Sequence, residues 1–401
     1  MTNNAHTSKA LVVGGGIAGT VAALALQRAG LAPEVFEAYG AAADGVGAFL
    51  TLAVNGLAAL EAVGIDRTQL GGFDTPRMAI RLGDGRLLAE FATAPPLPSG
   101  AVTRTIKRAD LYGALRAEAE RRAIPVAYGK RLIDAHRTQA GTVVARFADG
   151  SVAEGDLLVG ADGIHSRVRT LIDPGAPAAA YVGLLNTGGY ARGAAVPGEV
   201  GTMQMIFGKR CFFGYMPHPN GEVWWFANPA RAHAPTAAEL AAVTSEHWRA
   251  ELVDLFAADA SPPADLIRAT DEIFAGWATY DMPVVPRWHD GRMIIIGDAA
   301  HAASPSSGQG ASMAIEDAVV LARCLRDAPE IDRAFAAYEE LRRERVERIV
   351  AQGRRNGDGK TPGRLGRVVR DLALRVVFRR MHRKTGGADP MAWIHQHRVA
   401  L

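Results

Sequence analysis

Near the start of the chain, Gly14-Gly15-Gly16-Ile17-Ala18-Gly19 carries the pattern G-x-G-x-x-G. Residues 10–13 before it form a short apolar run that reads as a buried strand. Residues 17–29 after it are Ala/Leu-rich and read as a helix. In such a strand–turn–helix the first glycine, Gly14, permits the tight turn. The second, Gly16, lets a pyrophosphate approach the backbone, and Gly19 lets the helix pack close to the strand. The helix start at Ile17 and Ala18 offers free N–H groups and a positive dipole end to an anion. Residues 34–37 read as the next strand, and Glu37 stands 18 positions after Gly19, where a carboxylate can accept hydrogen bonds from a ribose. The pattern points to a bound dinucleotide and leaves NAD and FAD open. The carboxylate argues against an NADP 2′-phosphate in this pocket. The plainer alternative is a tight turn with Glu37 merely solvated.

Two more acids stand just past apolar runs. Residues 157–160 lead into Asp162-Gly163, and residues 292–296 lead into Gly297-Asp298. The second run continues through Pro305, Gly308, Gln309, Gly310 and Ala311 into a helix holding Ser312, Glu316 and Asp317. An acid at the carboxyl end of a buried strand faces the crevice of an α/β sheet, where ligands bind. Taken singly, each acid reads as a turn or helix cap.

Taken together, and in this order, the three motifs resemble those of the class A FAD-dependent monooxygenases, the para-hydroxybenzoate hydroxylase-like family, from about Leu11 to Arg354. The resemblance implies that Gly14, Gly16, Gly19 and Glu37 hold the AMP half of FAD and that Asp298 bonds the ribityl chain. It sets the backbone of Gly308, Gly310, Ala311 and Ser312 against the isoalloxazine ring, and Arg108 near flavin and pyrophosphate. Asp162 belongs to a motif linked in that family to both FAD and the nicotinamide cofactor. Two positions depart from the family habit: Ala38 stands where arginine is usual, and Ser312 where asparagine is common. No second G-x-G-x-x-G exists for NADH or NADPH, which fits a transient co-substrate.

The elements that must position these groups read as α/β at both ends of the chain. The expected fold is a discontinuous Rossmann-like FAD-binding domain with an inserted antiparallel β-sheet substrate domain and a C-terminal helical segment. Residues 1–72, 100–180 and 280–350 are assigned to the first domain, 73–99 and 181–279 to the second, and 351–401 to the tail. A hairpin is expected over 142–153, turning at Asp149-Gly150, with helices over 236–257 and 262–275. Residues 188–228 are rich in Phe, Tyr, Trp and Met. Met203, Met205, Phe213, Tyr215 and Trp225, with Pro305, are the expected substrate pocket. Arg104 and Tyr215 are the candidates for orienting a phenol. No metal ligands are expected.

Composition narrows the partners. Among 401 residues, 48% are hydrophobic and 22% charged, as in an ordinary globular chain. Two cysteines, Cys211 and Cys324, form no disulfide framework. The net charge of +3 is uneven: from Gly353 onward twelve Lys/Arg face three Asp/Glu, so the body is slightly acidic. That argues against nucleic acid as a partner. The uncharged stretch between Lys9 and Gln27 is short for a membrane span and broken by glycines, so a cytoplasmic protein, monomer or homodimer, is expected. Residues 366–381 form a basic helix with Val369, Leu372 and Val376 along it. Such a helix can lie on a membrane or pack on its own domain, and packing is expected.

The resemblance implies chemistry centred on the flavin. NAD(P)H reduces FAD, O2 adds at flavin C4a, and the hydroperoxide hydroxylates an aromatic or polyketide-like hydrophobic small molecule of secondary metabolism. The alternative is a reductase or dehydrogenase of the same fold that inserts no oxygen.

Overall fold

Four apolar runs, Lys9–Val13, Ala32–Phe36, Leu157–Gly160 and Met293–Ile295, lie side by side as the parallel centre of a six-stranded sheet. His289–Asp290 and Val126–Ala127 complete its edges. Apart from the Lys9–Glu34 pair the runs are apolar, because both faces of the sheet are covered. The helix Ile17–Arg28 packs on the sheet, and the helix Gly310–Asp327 packs on that helix. Phe147 of a small three-stranded sheet stacks on Phe36 at 4.7 Å between ring centroids. The register pairs Val13 with Gly160 and Gly160 with Ile295. Three strands therefore end level, and the loops carrying Gly14, Asp162 and Asp298 open on one edge. This computed structural model describes residues 8–40, 48–260, 262–360, 363–384 and 391–401.

The middle of the chain builds an eight-stranded, mainly antiparallel sheet. Its strands include Arg77–Leu82, Ala180–Ala191, Thr202–Phe207, Phe212–Pro217 and Val223–Asn228. Because side chains alternate along a strand, the sheet has two distinct faces. Phe213, Tyr215, Trp225 and Ile206 face the helices Ser245–Phe256 and Pro263–Arg268 and form one core cluster. Met203, Met216 and Trp224 turn the other way, toward Phe73, Phe49, Tyr190 and Met205. The expected 142–153 hairpin is present as Val143–Phe147 paired with Val152–Gly155. The expected helix over 262–275 stops at Arg268, and Thr270–Ile273 instead joins the sheet as an edge strand. Its two β-branched residues, Thr270 and Ile273, are buried there, and such side chains suit the pleated surface.

After the long helix Ile331–Asp358 the tail divides. Arg345 donates to the carbonyls of Trp393 and Ile394, docking the last residues on that helix. The helix Arg364–Lys384 lies beside the edge strand Leu87–Ala92. The helix is seated there through Arg370, while Val369, Leu372 and Val376 face solvent. Among the described residues no helix is long and apolar enough to cross a membrane.

Candidate active site

The glycine loop is shaped by constraints that only glycine meets. Gly14 has φ +104°, and a Cβ there would overlap the Ala161 carbonyl. Its N–H donates to Phe36 O at 2.8 Å, tying the loop to the neighbouring strand. A Cβ on Gly19 would overlap the Gly14 carbonyl, so the helix can lie this close to the strand only with glycine. Gly16 caps the helix with no side-chain hydrogen bond and no acid in the first turn, which leaves the N–H groups at Ile17 and Ala18 for an anion. Glu37 accepts from Gly15 N at 2.6 Å and from Tyr39 N at 2.9 Å. Each oxygen keeps a lone pair free for a ribose hydroxyl.

Arg108 opens the helix Arg108–Arg121 at the mouth of the same crevice. One of its terminal nitrogens donates to Tyr112 Oη at 3.2 Å, and its Nε is buried with no partner. An orphaned buried guanidinium N–H is costly, and a phosphate oxygen would satisfy it. Asp298 is exposed to the crevice yet closely surrounded by protein. That enclosure raises its pKa, against the pull of His301 and Arg108. Opposite, the helix Gly310–Asp327 starts at Gln309 with no side-chain cap and no acid in its first turn.

Behind Asp298 lies a buried ion network that the sequence reading missed. Asp317 accepts from Gly297 N at 2.9 Å and from Arg342 Nε at 2.7 Å, and meets His301 Nε2 at 2.5 Å. Arg342 also contacts Glu316 at 2.7 Å, and Arg345 bonds both Glu316 oxygens. Asn55 donates to Glu316 and to Gln309. Although burial opposes ionisation, His301 and Arg342 hold Asp317 well below the usual carboxylate range. The network thus fixes Gly297, Gln309 and the helix between them.

Other expected site residues do different work. The carboxylate of Asp162 is engaged by Ser166 Oγ, Arg167 N and Val168 N, so it caps the short helix Arg167–Ile172. From that helix Arg169 reaches Ala299 O at 2.9 Å and ties the second motif to the third. The Ser312 side chain is fully buried and accepts from Ala53 N at the contact with the helix Val54–Ala62, away from the crevice. Arg104 donates to Gly71 O, Gly72 O and Asp74, bracing a turn, so it is not placed to orient a phenol. Tyr215 is fully buried and donates to Pro197 O at 2.7 Å. With Phe213 and Trp225 it belongs to the helix-covered face, where Trp225 Nε1 bonds Thr270. Those three therefore line no crevice. Pro305 is exposed in the loop before Gly308.

The open face of the large sheet presents different aromatics. Phe49, Tyr190, Met205 and Phe226 are only half-buried there, around Trp224 and Met203. Phe49 lies 5.5 Å from Trp224 and 6.2 Å from Phe226 between centroids. Residues adjoining the flavin motifs bracket this wall at both ends. Lys107, next to Arg108, places its Nζ 4.6 Å from the Tyr190 ring and 5.3 Å from Trp224. At the other end Asn356 donates to Ser306 O at 3.2 Å, and Lys360, one helical turn on, bonds Asn228 Oδ1 at 2.6 Å. Burial pushes the Tyr190 hydroxyl up to about 12, so it stays a neutral donor.

Lys360 is 7% exposed and sits 4.3 Å over the Phe212 ring. Burial pushes its amine down to about 7, against about 10.4 in an unfolded chain. Between those values the unfolded state binds the extra proton, so stability rises with pH across that window. Lys360→Met is expected to flatten the rise and to stabilise the protein below pH of about 7, by on the order of 2–4 kcal/mol. Denaturant melts of both proteins from about pH 6 to 10 measure this. Parallel curves would mean that the amine is solvated.

A nucleotide loop, a second uncapped helix start and an aromatic wall beside them define a flavoprotein oxidoreductase. The sequence matches the family described as FAD binding domain over residues 7–353. The chain belongs to that family, the class A FAD-dependent monooxygenases. It is 33% identical over 356 residues to an FAD-dependent urate hydroxylase of Klebsiella pneumoniae, covering 87% of this chain and 90% of that protein. It is 31% identical to an aurachin C monooxygenase/isomerase of Stigmatella aurantiaca, covering 92% and 94%. The crystal structure of Klebsiella pneumoniae HpxO complexed with FAD and uric acid superposes with a TM-score of 0.81 at 29% identity, covering 94% of this chain and 95% of that one. The groups present fit FAD: a cradle that a Cβ would fill, an orphaned Arg108 Nε, and a carboxylate at each end.

Proposed function

We propose that this enzyme hydroxylates an electron-rich aromatic or heteroaromatic small molecule, consuming O2 and NADH or NADPH. Bound FAD supplies the hydride acceptor and the oxygen activation. The observation that carries the reading is the half-buried wall of Phe49, Tyr190, Met205 and Phe226, bracketed by Lys107 and Lys360. A planar ring can stack on that wall, and its apolar lining excludes water. Lys107 favours an ionised ring hydroxyl or carboxylate, and Tyr190 can donate to it. Glu37, Arg108 and Asp298 would hold the ribose, the pyrophosphate and the ribityl chain. The backbone N–H groups at Gly310 and Ala311 would stabilise negative charge on the ring system. Several relatives carry names that support an aromatic substrate, among them the 3-amino-4-hydroxybenzoate 2-monooxygenase of Streptomyces platensis and the 6-hydroxynicotinate 3-monooxygenase of Pseudomonas fluorescens.

The test is a panel of hydroxybenzoates, hydroxypyridines, uric acid and hydroxyquinolines, incubated with FAD-loaded enzyme, NADH or NADPH and oxygen-18 gas. The expected result is one labelled oxygen atom in the product for each NAD(P)H and O2 consumed. Turnover of a substrate under argon with no label incorporated would replace this reading with a reductase or dehydrogenase.

A further inference from the structure

The helix Arg364–Lys384 is mounted with its apolar side outward. Val368, Val369, Leu372, Val376 and Val377 are 61%, 68%, 62%, 40% and 49% exposed, and Ala373 between them is exposed as well. Their spacing repeats every four residues, so they form one continuous face roughly 13 Å long at 1.5 Å per residue. The inward side carries Arg367, Arg370, Asp371, Leu374, Arg375 and Phe378, all half-buried. Arg370 donates to the carbonyls of Phe207 and Gly208 at 3.3 and 3.0 Å, and its guanidinium lies 5.6 Å from the Phe207 ring. Arg367 and Arg370 also bear on the half-buried Asp259. Rolling the valines inward would break these contacts, so the outward stripe is part of how the helix is seated. The edge strand beside it adds Leu87 and Phe91, 44% and 37% exposed.

The charge of the helix selects what covers the stripe. It has eight Lys/Arg and one acid, Asp371, and its last six residues hold Arg379, Arg380, Arg383 and Lys384. A second copy of the same helix would bring the same positive charge against it, which opposes self-association. A surface that is apolar below and anionic above satisfies both features. We infer that this helix docks the enzyme on an anionic lipid bilayer, with Val368, Val369, Leu372 and Val376 entering the acyl boundary and Arg379 meeting the headgroups. This inference does not depend on the proposed reaction.

The FAD-loaded full chain would be sedimented with vesicles of equal parts phosphatidylglycerol and phosphatidylcholine, and with phosphatidylcholine alone. Binding to the first and not the second is expected, weakening at least tenfold as salt rises from about 0.05 to 0.5 M, where the Debye length shrinks to a few ångströms. Leu372→Asp is expected to weaken it at least tenfold, and Arg379→Glu to a smaller degree, with flavin absorbance unchanged in both as the check on folding. Failure to sediment with the anionic vesicles at low salt would overturn the inference. So would a concentration-dependent dimer in lipid-free solution that Leu372→Asp abolishes, because a second copy would then own the stripe.

Discussion

Arg342→Met is expected to destabilise the enzyme by about 3–5 kcal/mol and to release FAD, because it strips the shared cation from two buried acids. Arg342, Glu316 and Asp317 are all essentially unexposed, and Arg342 contacts both carboxylates at 2.7 Å. Methionine matches the volume of the arginine stem, so the loss is electrostatic and leaves little cavity. Glu316 keeps Arg345 and Asn55, whereas Asp317 is left with Gly297 N and His301. The sign of the pH dependence follows. A carboxylate held low in the folded state contributes stability above its unfolded pKa of about 3.9 and loses it as pH falls further. The gap between wild type and variant should therefore be widest near neutrality and narrow below about pH 4. Guanidinium melts measure it, and a deficit under about 1 kcal/mol would show that the network is not under electrostatic load. Adding Asp317→Asn to the variant should recover part of the loss, since the unpaired charge goes too. Flavin retention reports separately on Gly297, whose N–H Asp317 holds one residue before Asp298.

What was legible in the sequence is what depends on residue type at short range. Gly14 and Gly19 are readable because a backbone overlap excludes every other residue there. Asp298 is readable because it follows an apolar strand. Asp162 follows an apolar strand in the same way, and its acid serves its own turn; a strand-end carboxylate looks alike in both roles. Arg342 was invisible for a different reason. It lies 25 residues from Asp317 within a helix full of arginines, and only tertiary packing singles it out. The expected pocket residues failed on parity. Trp224-Trp225-Phe226 is aromatic at every position, so alternation gives no phase, and a shift of one residue exchanges the two faces. Hence Met203 and Met205 fall on the open face, while Phe213, Tyr215 and Trp225 fall on the covered one. Phe49, Tyr190 and Lys107 went unnoticed because they come from separate segments, and only strand pairing brings them together. The tail helix showed its amphipathic period but not which side faces in, since that is settled by where Arg370 finds carbonyls.

The glycine loop offers a pair of substitutions that separate strain in the protein from exclusion of the ligand. Gly14→Ala puts a side chain at φ +104° against the Ala161 carbonyl, so the loop must move. Left-handed backbone in a non-glycine residue and a backbone overlap together cost roughly 2–5 kcal/mol. Part of this appears as lower stability of the FAD-free chain and the rest as weaker binding. Gly16→Ala is different. A Cβ there meets only Tyr112 at 4.0 Å, and its φ of −75° suits any residue. The FAD-free protein should therefore keep its stability to within about 0.5 kcal/mol. Yet the methyl stands where a pyrophosphate must approach the backbone, so FAD affinity is expected to fall by about 100-fold, or roughly 2.8 kcal/mol at 1.4 kcal/mol per decade. Fluorescence titration of the FAD-free proteins gives the affinities, and denaturant melts give the stabilities. If Gly16→Ala bound FAD as tightly as wild type, the pyrophosphate would have to lie away from this turn. The assignment of Gly14, Gly16 and Ile17 as its cradle would then fail, even with the fold intact.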